Sequence, residues 1–176
     1  MQFSETPIAG LIIVEVKRIT DDRGFFGRIW CQKEFEEHGI DSRTVQINTT
    51  LSHRAGTVRG VHFQDAPHAE SKVTRCTRGR AYDIALDLRP SSPTFRQWFG
   101  IELSADNQRM LVIPPGCAHG YQALEDCTEL MYLTSEFYAP HAVRGVRHDD
   151  PSFSIKWPLP VSVISPQDST WPDFIE

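Results

Sequence analysis

The segment Ala81-Tyr82-Asp83-Ile84-Ala85-Leu86-Asp87-Leu88-Arg89 decides the fold class of this chain. Its large apolar side chains all fall on one face of an extended backbone, and its charged side chains fall on the other. A period of two residues with one polar face is typical of an antiparallel β-strand. The segment therefore predicts a strand that belongs to an antiparallel sheet.

Shorter segments of the same kind recur along the chain and are separated by turns rich in Gly and Pro. About ten short strands with almost no helix predict a β-sandwich or barrel, and we expect an all-β jelly-roll barrel with a few short helices. A helix is predicted over residues 32–38, and the last forty residues, with six prolines, are expected to be mostly extended chain and loop. The other strands are predicted at 11–16, 25–30, 43–50, 58–64, 72–77, 98–103, 110–113 and 127–138.

Length and composition limit the class of protein. A chain of 176 residues with 40% apolar content can bury one core, so we expect a single domain over residues 1–176. A net charge of -5 argues against a nucleic-acid partner. The start lacks the features of a signal peptide, and no apolar run suits a membrane span, so we expect a cytoplasmic protein without membrane contact. The four cysteines lack CxxC spacing and are expected to be buried thiols.

The stretch Arg59-Gly60-Val61-His62-Phe63-Gln64 places a histidine within a predicted strand. Strict alternation puts His62 on the face opposite Arg59, and the two share a face only if Gly60 interrupts the strand. A core histidine with a hydrogen-bonded ring is the alternative to a functional one. Because Arg59, Gln64 and Lys72 lie within a dozen residues, the stretch favours a functional site.

A metal site has partial support from the sequence. The stretch Pro115-Gly116-Cys117-Ala118-His119 is similar to the second half of the metal-binding pattern of cupin barrels. The first half is missing, because Phe63 and Gln64 follow His62 where a second ligand is needed. Cys117 is an alternative nucleophile beside His119, but such a thiol requires an electropositive and partly exposed setting.

Acid–base chemistry fits the residue types better. Abstraction of a proton beside a carbonyl needs a base, a cation or donor that stabilises the enolate oxygen and, for inversion, an acid on the opposite face. His62, Lys72 and Tyr132 suit these tasks and lie on three separate predicted strands. The alternative for Tyr132 is a wall aromatic whose hydroxyl is hydrogen-bonded.

A series of motifs runs in order along nearly the full length of the chain. They are Asp22-Arg23-Gly24 with Phe26, Gln46-Ile47-Asn48, residues 59–64, Lys72, Asp87-Leu88-Arg89, Ser92-Pro93-Thr94-Phe95, residues 113–116 with His119-Gly120, Tyr132, Tyr138-Ala139-Pro140, Asp150-Pro151, residues 155–158, and Ser165 with Asp168. In these motifs the chain resembles the dTDP-4-dehydrorhamnose 3,5-epimerase family of deoxysugar biosynthesis. This resemblance implies a cupin-like jelly roll that acts as a homodimer, without metal or organic cofactor, on a nucleotide-linked 4-keto-6-deoxyhexose.

The resemblance also implies roles for individual residues. His62 is expected to be the base, with its ring oriented by Asp168, while Lys72 stabilises the enolate and Tyr132 is the acid. An acceptor on one ring nitrogen fixes the histidine tautomer and leaves the other nitrogen free for a proton. The residues expected to bind the sugar nucleotide are Arg59, Gln46, Asn48, His119 and Tyr138, together with Arg23, Phe26 and Arg28 on the nucleotide side. The contacts of Arg23 and Phe26 are expected partly across the dimer interface.

Three positions depart from the family pattern. Arg28 replaces a glutamate near the thymine, Leu133 replaces a lysine, and Val143 replaces an acidic residue. Because Arg28 is a donor where an acceptor is usual, a CDP-linked substrate is one hypothesis. The alternatives are a single-carbon (C3 or C5) epimerase or ketoisomerase, a non-catalytic sugar-nucleotide-binding protein and a metal-dependent cupin oxygenase.

Overall fold

The computed structural model describes residues 1–175, and strands dominate it as the sequence predicts. Two antiparallel sheets pack face to face, which confirms the all-β jelly-roll fold. In spatial order the six-stranded sheet contains β1 (Gln2–Glu5), β2 (Ile12–Glu15), β10 (Arg109–Ile113), β7 (Lys72–Arg78), β12 (Thr128–Thr134) and β5 (Gln46–Ser52). The five-stranded sheet contains β13 (Val143–Gly145), β6 (Val58–Gln64), β11 (Cys117–Ala123), β8 (Arg80–Asp87) and β9 (Trp98–Ser104).

The remaining elements are small. A separate hairpin is formed by β3 (Arg18–Asp21) and β4 (Gly24–Gly27), and its residues are almost all exposed. The predicted helix is present as α1 (Gln32–Glu37), and a second helix, α2 (Pro166–Ser169), follows a 3₁₀ turn at Pro140–Ala142. Among residues 1–175 no helix has the length and apolar character needed to cross a membrane.

The main core lies between the two sheets. Cys76, Leu111 and Leu130 come from the six-stranded sheet and pack with Ala85 and Leu103 from the five-stranded sheet, all fully buried. Two further clusters cover the outer faces. Helix α1 contributes the buried Phe35 to the outer face of the six-stranded sheet, and the chain after β13 covers the other sheet through Val146, Phe153 and Ile155.

The polar face of β8 points into the molecule. Asp83 and Asp87 are both completely buried, so the alternation predicts the strand correctly although its polar side does not face water. Burial opposes ionisation of Asp87, but hydrogen bonds from Arg89, Ser92 and Thr94 outweigh burial and hold its pKa well below the usual range. These bonds fix the turn that follows β8.

Several strands differ from the sequence prediction. β1, β3, β11 and β13 are additional, and the strand predicted at 25–30 ends at Gly27. Every residue of β11 is buried, so this strand lacks the alternation that marks a half-exposed strand. Cys76 and Cys117 are buried thiols as predicted, whereas Cys31 and Cys127 are only half-buried, because both lie in connections outside the strands.

The pairing of β6 with β11 is irregular at Gly60. His62 lies opposite His119, but Arg59 lies opposite Tyr121. The strand β6 therefore has one more residue than β11 between these two pairs, which is a β-bulge. Gly60 has φ of 98°, and a Cβ atom there would overlap the carbonyl oxygen of His119. The break lets Arg59 and His62 line the same cavity, as the sequence predicts for an interrupted strand.

We expect Gly60→Ala to lower the free energy of unfolding by about 2 kcal/mol or more, because alanine meets both an unfavourable φ and a backbone contact. Chemical denaturation monitored by circular dichroism measures this change. Gly24→Ala is the matched control, since Gly24 has φ of 123° but nothing within 4 Å of the added Cβ. Equal losses in the two variants would contradict a role for the close contact.

Candidate active site

Two adjoining cavities open between the sheets. The first, the main cavity, has a volume of about 380 Å³, and the second, the amide cavity, is of the same size. His62, Lys72 and Tyr132 line both, so the three predicted catalytic residues meet where the cavities join. The main cavity is also lined by Arg59, His119, Tyr121 and Asp168, and the amide cavity by Gln46, Asn48, Gln64, Glu70 and Tyr138.

The environment of His62 keeps its ring neutral near pH 7. The pKa of the ring is lowered to about 4, mainly by burial and next by the charge of the Lys72 ammonium. The Asp168 carboxylate acts in the opposite direction and favours the protonated ring. A neutral imidazole at neutral pH can accept a proton, which is the first requirement for a general base.

Asp168 reaches the site from α2. Ser165 caps this helix by accepting a hydrogen bond from Asp168 N–H at 3.0 Å. The buried Asp168 carboxylate accepts a hydrogen bond from Gly60 N–H at 3.1 Å, so among residues 1–175 its hydrogen-bond donor is the strand backbone and not the His62 ring. The carboxylate thus acts on His62 through its charge, and ring orientation by Asp168 stays a prediction.

Lys72 and Tyr132 extend from the sheet opposite His62. The Lys72 ammonium lies 3.1 Å from a carboxylate oxygen of Glu70 and 5.6 Å from the centre of the Tyr132 ring. Burial raises the pKa of Tyr132, and the charge of Glu70 adds to this effect. Tyr132 therefore keeps its proton at neutral pH. Glu70 is absent from the residues predicted from the sequence, because it lies in a loop rather than in a strand.

His119 belongs to a second carboxylate–histidine pair. Its Nε2 lies 3.1 Å from both oxygens of Asp83, which is completely buried on β8. His119 is thus held in one orientation directly opposite His62. Asp83 was not predicted as a site residue, although its place on the polar face of β8 was the available signal.

Other predicted binding residues are fixed at the cavity walls. Arg59 donates to the carbonyl oxygen of Leu51 at 3.0 Å, which holds its guanidinium at the edge of the main cavity. Gln46 accepts a hydrogen bond from Tyr138 N–H at 2.7 Å and so holds the chain that covers the amide cavity. Asn48 and the 65% exposed Tyr138 also line this cavity.

The predicted nucleotide contacts lie elsewhere in the chain. Arg23 is 89% exposed and pairs with Asp21, and Phe26 is 67% exposed on the same hairpin. Arg28 donates to Glu34 at 2.8 Å. These three residues line neither cavity of their own chain.

Cys117 does not have the properties of a nucleophile. Burial raises the pKa of its thiol to about 12, so the reactive thiolate is essentially unpopulated at neutral pH. Within residues 1–175 no three or more His, Cys, Asp or Glu side chains are grouped so as to hold a metal ion.

Comparison with known proteins places this site in a family. Residues 5–176 match the family model described as dTDP-4-dehydrorhamnose 3,5-epimerase. The protein of that name from Shigella flexneri is 41% identical over 177 residues, which cover 100% of this chain and 97% of the relative. The chain belongs to this family. The resemblance inferred from the sequence motifs is thus confirmed.

Solved structures of epimerases share the fold. The dTDP-4-dehydrorhamnose 3,5-epimerase of Bacillus anthracis, solved with TDP and PPi, aligns with a TM-score of 0.95 and 39% identity, over 98% of this chain and 99% of that one. A 3'-monoepimerase from Streptomyces bikiniensis, in complex with dTDP-quinovose, aligns with a TM-score of 0.89 and 30% identity, over 96% and 85% of the two chains.

The departures from the family pattern differ in their distance from the site. Leu133 lines an apolar cavity of about 290 Å³ together with Trp30 and Ile47, and lines neither the main cavity nor the amide cavity. Val143 lines the amide cavity. The Arg28 guanidinium is already paired with Glu34. Of these three residues, only Val143 lines the main or the amide cavity.

We expect the ring of His62 to titrate near pH 4, well below an ordinary histidine, because burial and the charge of Lys72 oppose its protonation. NMR of the histidine ring protons as a function of pH measures this, with His62→Gln used to assign the signal. Since the unfolded chain takes up this proton at ordinary pH, the free energy of unfolding should fall as pH drops from about 6.5 to 4. A midpoint above pH 6 would contradict this interpretation.

Proposed function

We propose that this chain epimerises C3 and C5 of a dTDP-linked 4-keto-6-deoxyhexose without a metal or organic cofactor. The observation that carries the proposal is the convergence of His62, Lys72 and Tyr132 at the junction of two cavities in a member of an epimerase family. The proposal treats residues 1–176 as one epimerase domain.

Inversion of each carbon requires two proton transfers. The neutral ring of His62 removes the proton from the carbon beside the C4 ketone, and the electron pair of that C–H bond moves into an enolate. Tyr132 extends from the facing sheet and donates its hydroxyl proton to the other side of the same carbon, forming the inverted C–H bond. Exchange with solvent returns the proton from His62 and reprotonates Tyr132.

Charge development explains how a histidine with a low pKa acts as a base. In the free protein the Lys72 ammonium opposes a proton on His62. When the enolate forms, its negative oxygen offsets the Lys72 charge, while Asp168 continues to favour the imidazolium. The proton affinity of His62 therefore rises as the proton is transferred. Lys72 thus stabilises the enolate and allows proton transfer to His62.

The nucleotide is assigned to dTDP rather than CDP. The CDP hypothesis required Arg28 as a free donor, but its guanidinium is bonded to Glu34. The named relatives act on or bind dTDP compounds. The diphosphate is assigned to the side of the main cavity that carries Arg59, where the guanidinium is already oriented.

Epimerisation at a single carbon is the second candidate. The structural similarity to a 3'-monoepimerase supports it, because the two chains align over almost their full length. A protein that only binds the sugar nucleotide is less consistent with the site. Binding gains nothing from a neutral histidine with a nearby carboxylate, whereas proton transfer depends on both.

We also infer that two copies of this chain form the working enzyme. The exposed hairpin carries Ile19, Phe25 and Phe26, which are 65%, 51% and 67% exposed. An apolar cluster of this kind favours burial against a partner. Because Arg23 and Phe26 lie away from the cavities of their own chain, a second copy of the chain is where they can contact a nucleotide.

Proton NMR in deuterated water tests the reaction. With the 4-keto-6-deoxyglucose sugar linked to dTDP, we expect deuterium at both C3 and C5 and formation of the inverted sugar, and the CDP-linked sugar should react at least tenfold more slowly, a cost of about 1.4 kcal/mol. Deuterium at one carbon only would support the second candidate. Absence of deuterium with both substrates would refute the proposed reaction.

Two variants test the roles proposed for His62 as the base and Tyr132 as the acid. His62→Ala should abolish deuterium incorporation while nucleotide binding, measured by calorimetry, stays within about threefold of wild type. Tyr132→Phe should still incorporate deuterium but should not invert the carbon. Unchanged epimerisation by the Tyr132 variant would remove Tyr132 from the role of acid.

Complementation tests the contribution across two copies. His62→Ala and Arg23→Ala are each expected to have little activity, but co-expression of both chains should restore about a quarter of wild-type activity, since half of the dimers are mixed and each has one intact site. Different affinity tags allow the mixed dimer to be purified. If Arg23 acted within its own chain, the mixed dimer would stay as inactive as its parents.

A further inference from the structure

Glu70 forms a buried ion pair with the predicted catalytic lysine. The carboxylate oxygen lies 3.1 Å from the Lys72 ammonium, and the two side chains are only 12% and 9% exposed. At this degree of burial the pair is shielded from solvent, so it differs from surface ion pairs that contribute little. One of the three donors of the ammonium is thus directed at Glu70, which leaves two for the cavity.

Gln64 fixes the position of Glu70. Its side-chain amide donates to the second oxygen of Glu70 at 3.4 Å and to the carbonyl oxygens of His68 and Phe137 at 3.0 and 3.2 Å. The amide oxygen of Gln64 accepts from Ala139 N–H at 2.6 Å. The loop that carries Glu70 is therefore tied to the end of β6 and to the segment after β12, and the carboxylate is held in place before any substrate binds.

The other charged and titratable groups around this pair come from every adjacent element. They are His62 on β6, His119 and Cys117 on β11, Tyr132 on β12 and Tyr138 beyond it. His119 already pairs with Asp83, and the thiol of Cys117 keeps its proton. Glu70 is thus the carboxylate in direct contact with Lys72.

We propose that Glu70 is a positioning residue of this enzyme, whose carboxylate holds the Lys72 ammonium in place, directed at the oxygen where the enolate forms. This inference rests on the proposed epimerase reaction. A lysine side chain has four flexible bonds, so without an anchor the ammonium occupies many positions and loses the preorganisation that enolate stabilisation requires. The carboxylate also offsets the Lys72 charge that opposes a proton on His62.

Glu70→Gln tests this inference, because it keeps the shape of the side chain and removes its charge. We expect kcat to fall about tenfold with KM within twofold, and the alkaline limb of the kcat profile to move about one unit to lower pH. The limb moves because the charge of Glu70 raises the pKa of Tyr132, so that loss of the carboxylate lowers the pKa of Tyr132. Glu70→Asp should recover part of the rate and of the pH shift.

Glu15→Gln is the matched control, since Glu15 pairs with Arg109 at 2.8 Å on β2 and its removal changes the net charge equally. We expect the pH profile of this control to match wild type. In a Lys72→Gln background Glu70→Gln should change kcat by less than about twofold, because Glu70 acts through Lys72. The inference would be overturned if Glu70→Gln lowered kcat equally in the wild-type and Lys72→Gln backgrounds. It would also be overturned if the alkaline limb of the Glu70→Gln profile did not shift.

A measurement without substrate separates this inference from the proposed function. Proton–nitrogen NMR of the lysine ammonium groups should show a persistent signal for Lys72, identified by its loss in Lys72→Gln, and that signal should disappear in Glu70→Gln. If the wild-type protein proves inactive, the proposed function fails, but the ammonium signal still tests the pairing. A signal of equal intensity in the Glu70 variant would overturn the positioning role.

Discussion

Strand β6 passes so close to the backbone of β11 that the position facing the His119 carbonyl has room only for glycine. This contact breaks the alternation of β6, and the break turns Arg59 and His62 toward the same cavity. It also leaves the amide of Gly60 free of regular pairing, and the carboxylate of Asp168 binds that amide. A single close backbone contact thus brings together the guanidinium, the imidazole and the carboxylate on which the site depends.

The interior of this barrel contains charges that are paired before the substrate arrives. Asp83 holds His119, Glu70 holds Lys72, and the Asp168 carboxylate accepts a backbone hydrogen bond. Placing ionised groups between two sheets is costly unless each has a partner, and these pairs meet that condition. In the proposed reaction, the same low-polarity surroundings would strengthen the attraction between the Lys72 ammonium and an enolate. The packing that stabilises the barrel is therefore also what gives the site its chemistry.

Much of the fold and part of the site follow from sequence patterns. Alternation in residues 81–89 predicts β8, and the separate strands of His62, Lys72 and Tyr132 are consistent with their meeting in a barrel interior. The carboxylates that pair with Lys72 and His119 could not be predicted from the sequence. Loop geometry brings Glu70 to Lys72, and strand pairing brings Asp83 to His119. The fully buried β11 has no alternation to detect. The partner of Arg28 could not be predicted for a similar reason, since only the fold shows that α1 places Glu34 beside it.

The segment that completes the site comes late in the chain. Val163 pairs with Thr57 and accepts a hydrogen bond from Val58 N–H, and Asp168 binds Gly60 from a position 108 residues away in sequence. During synthesis the ribosome therefore releases His62, Lys72 and Tyr132 well before the carboxylate that favours the protonated imidazole. A nascent chain can assemble most of both sheets while the proposed proton-transfer centre is still incomplete. The charged groups proposed for catalysis are all in place only when the segment that carries Asp168 packs on β6.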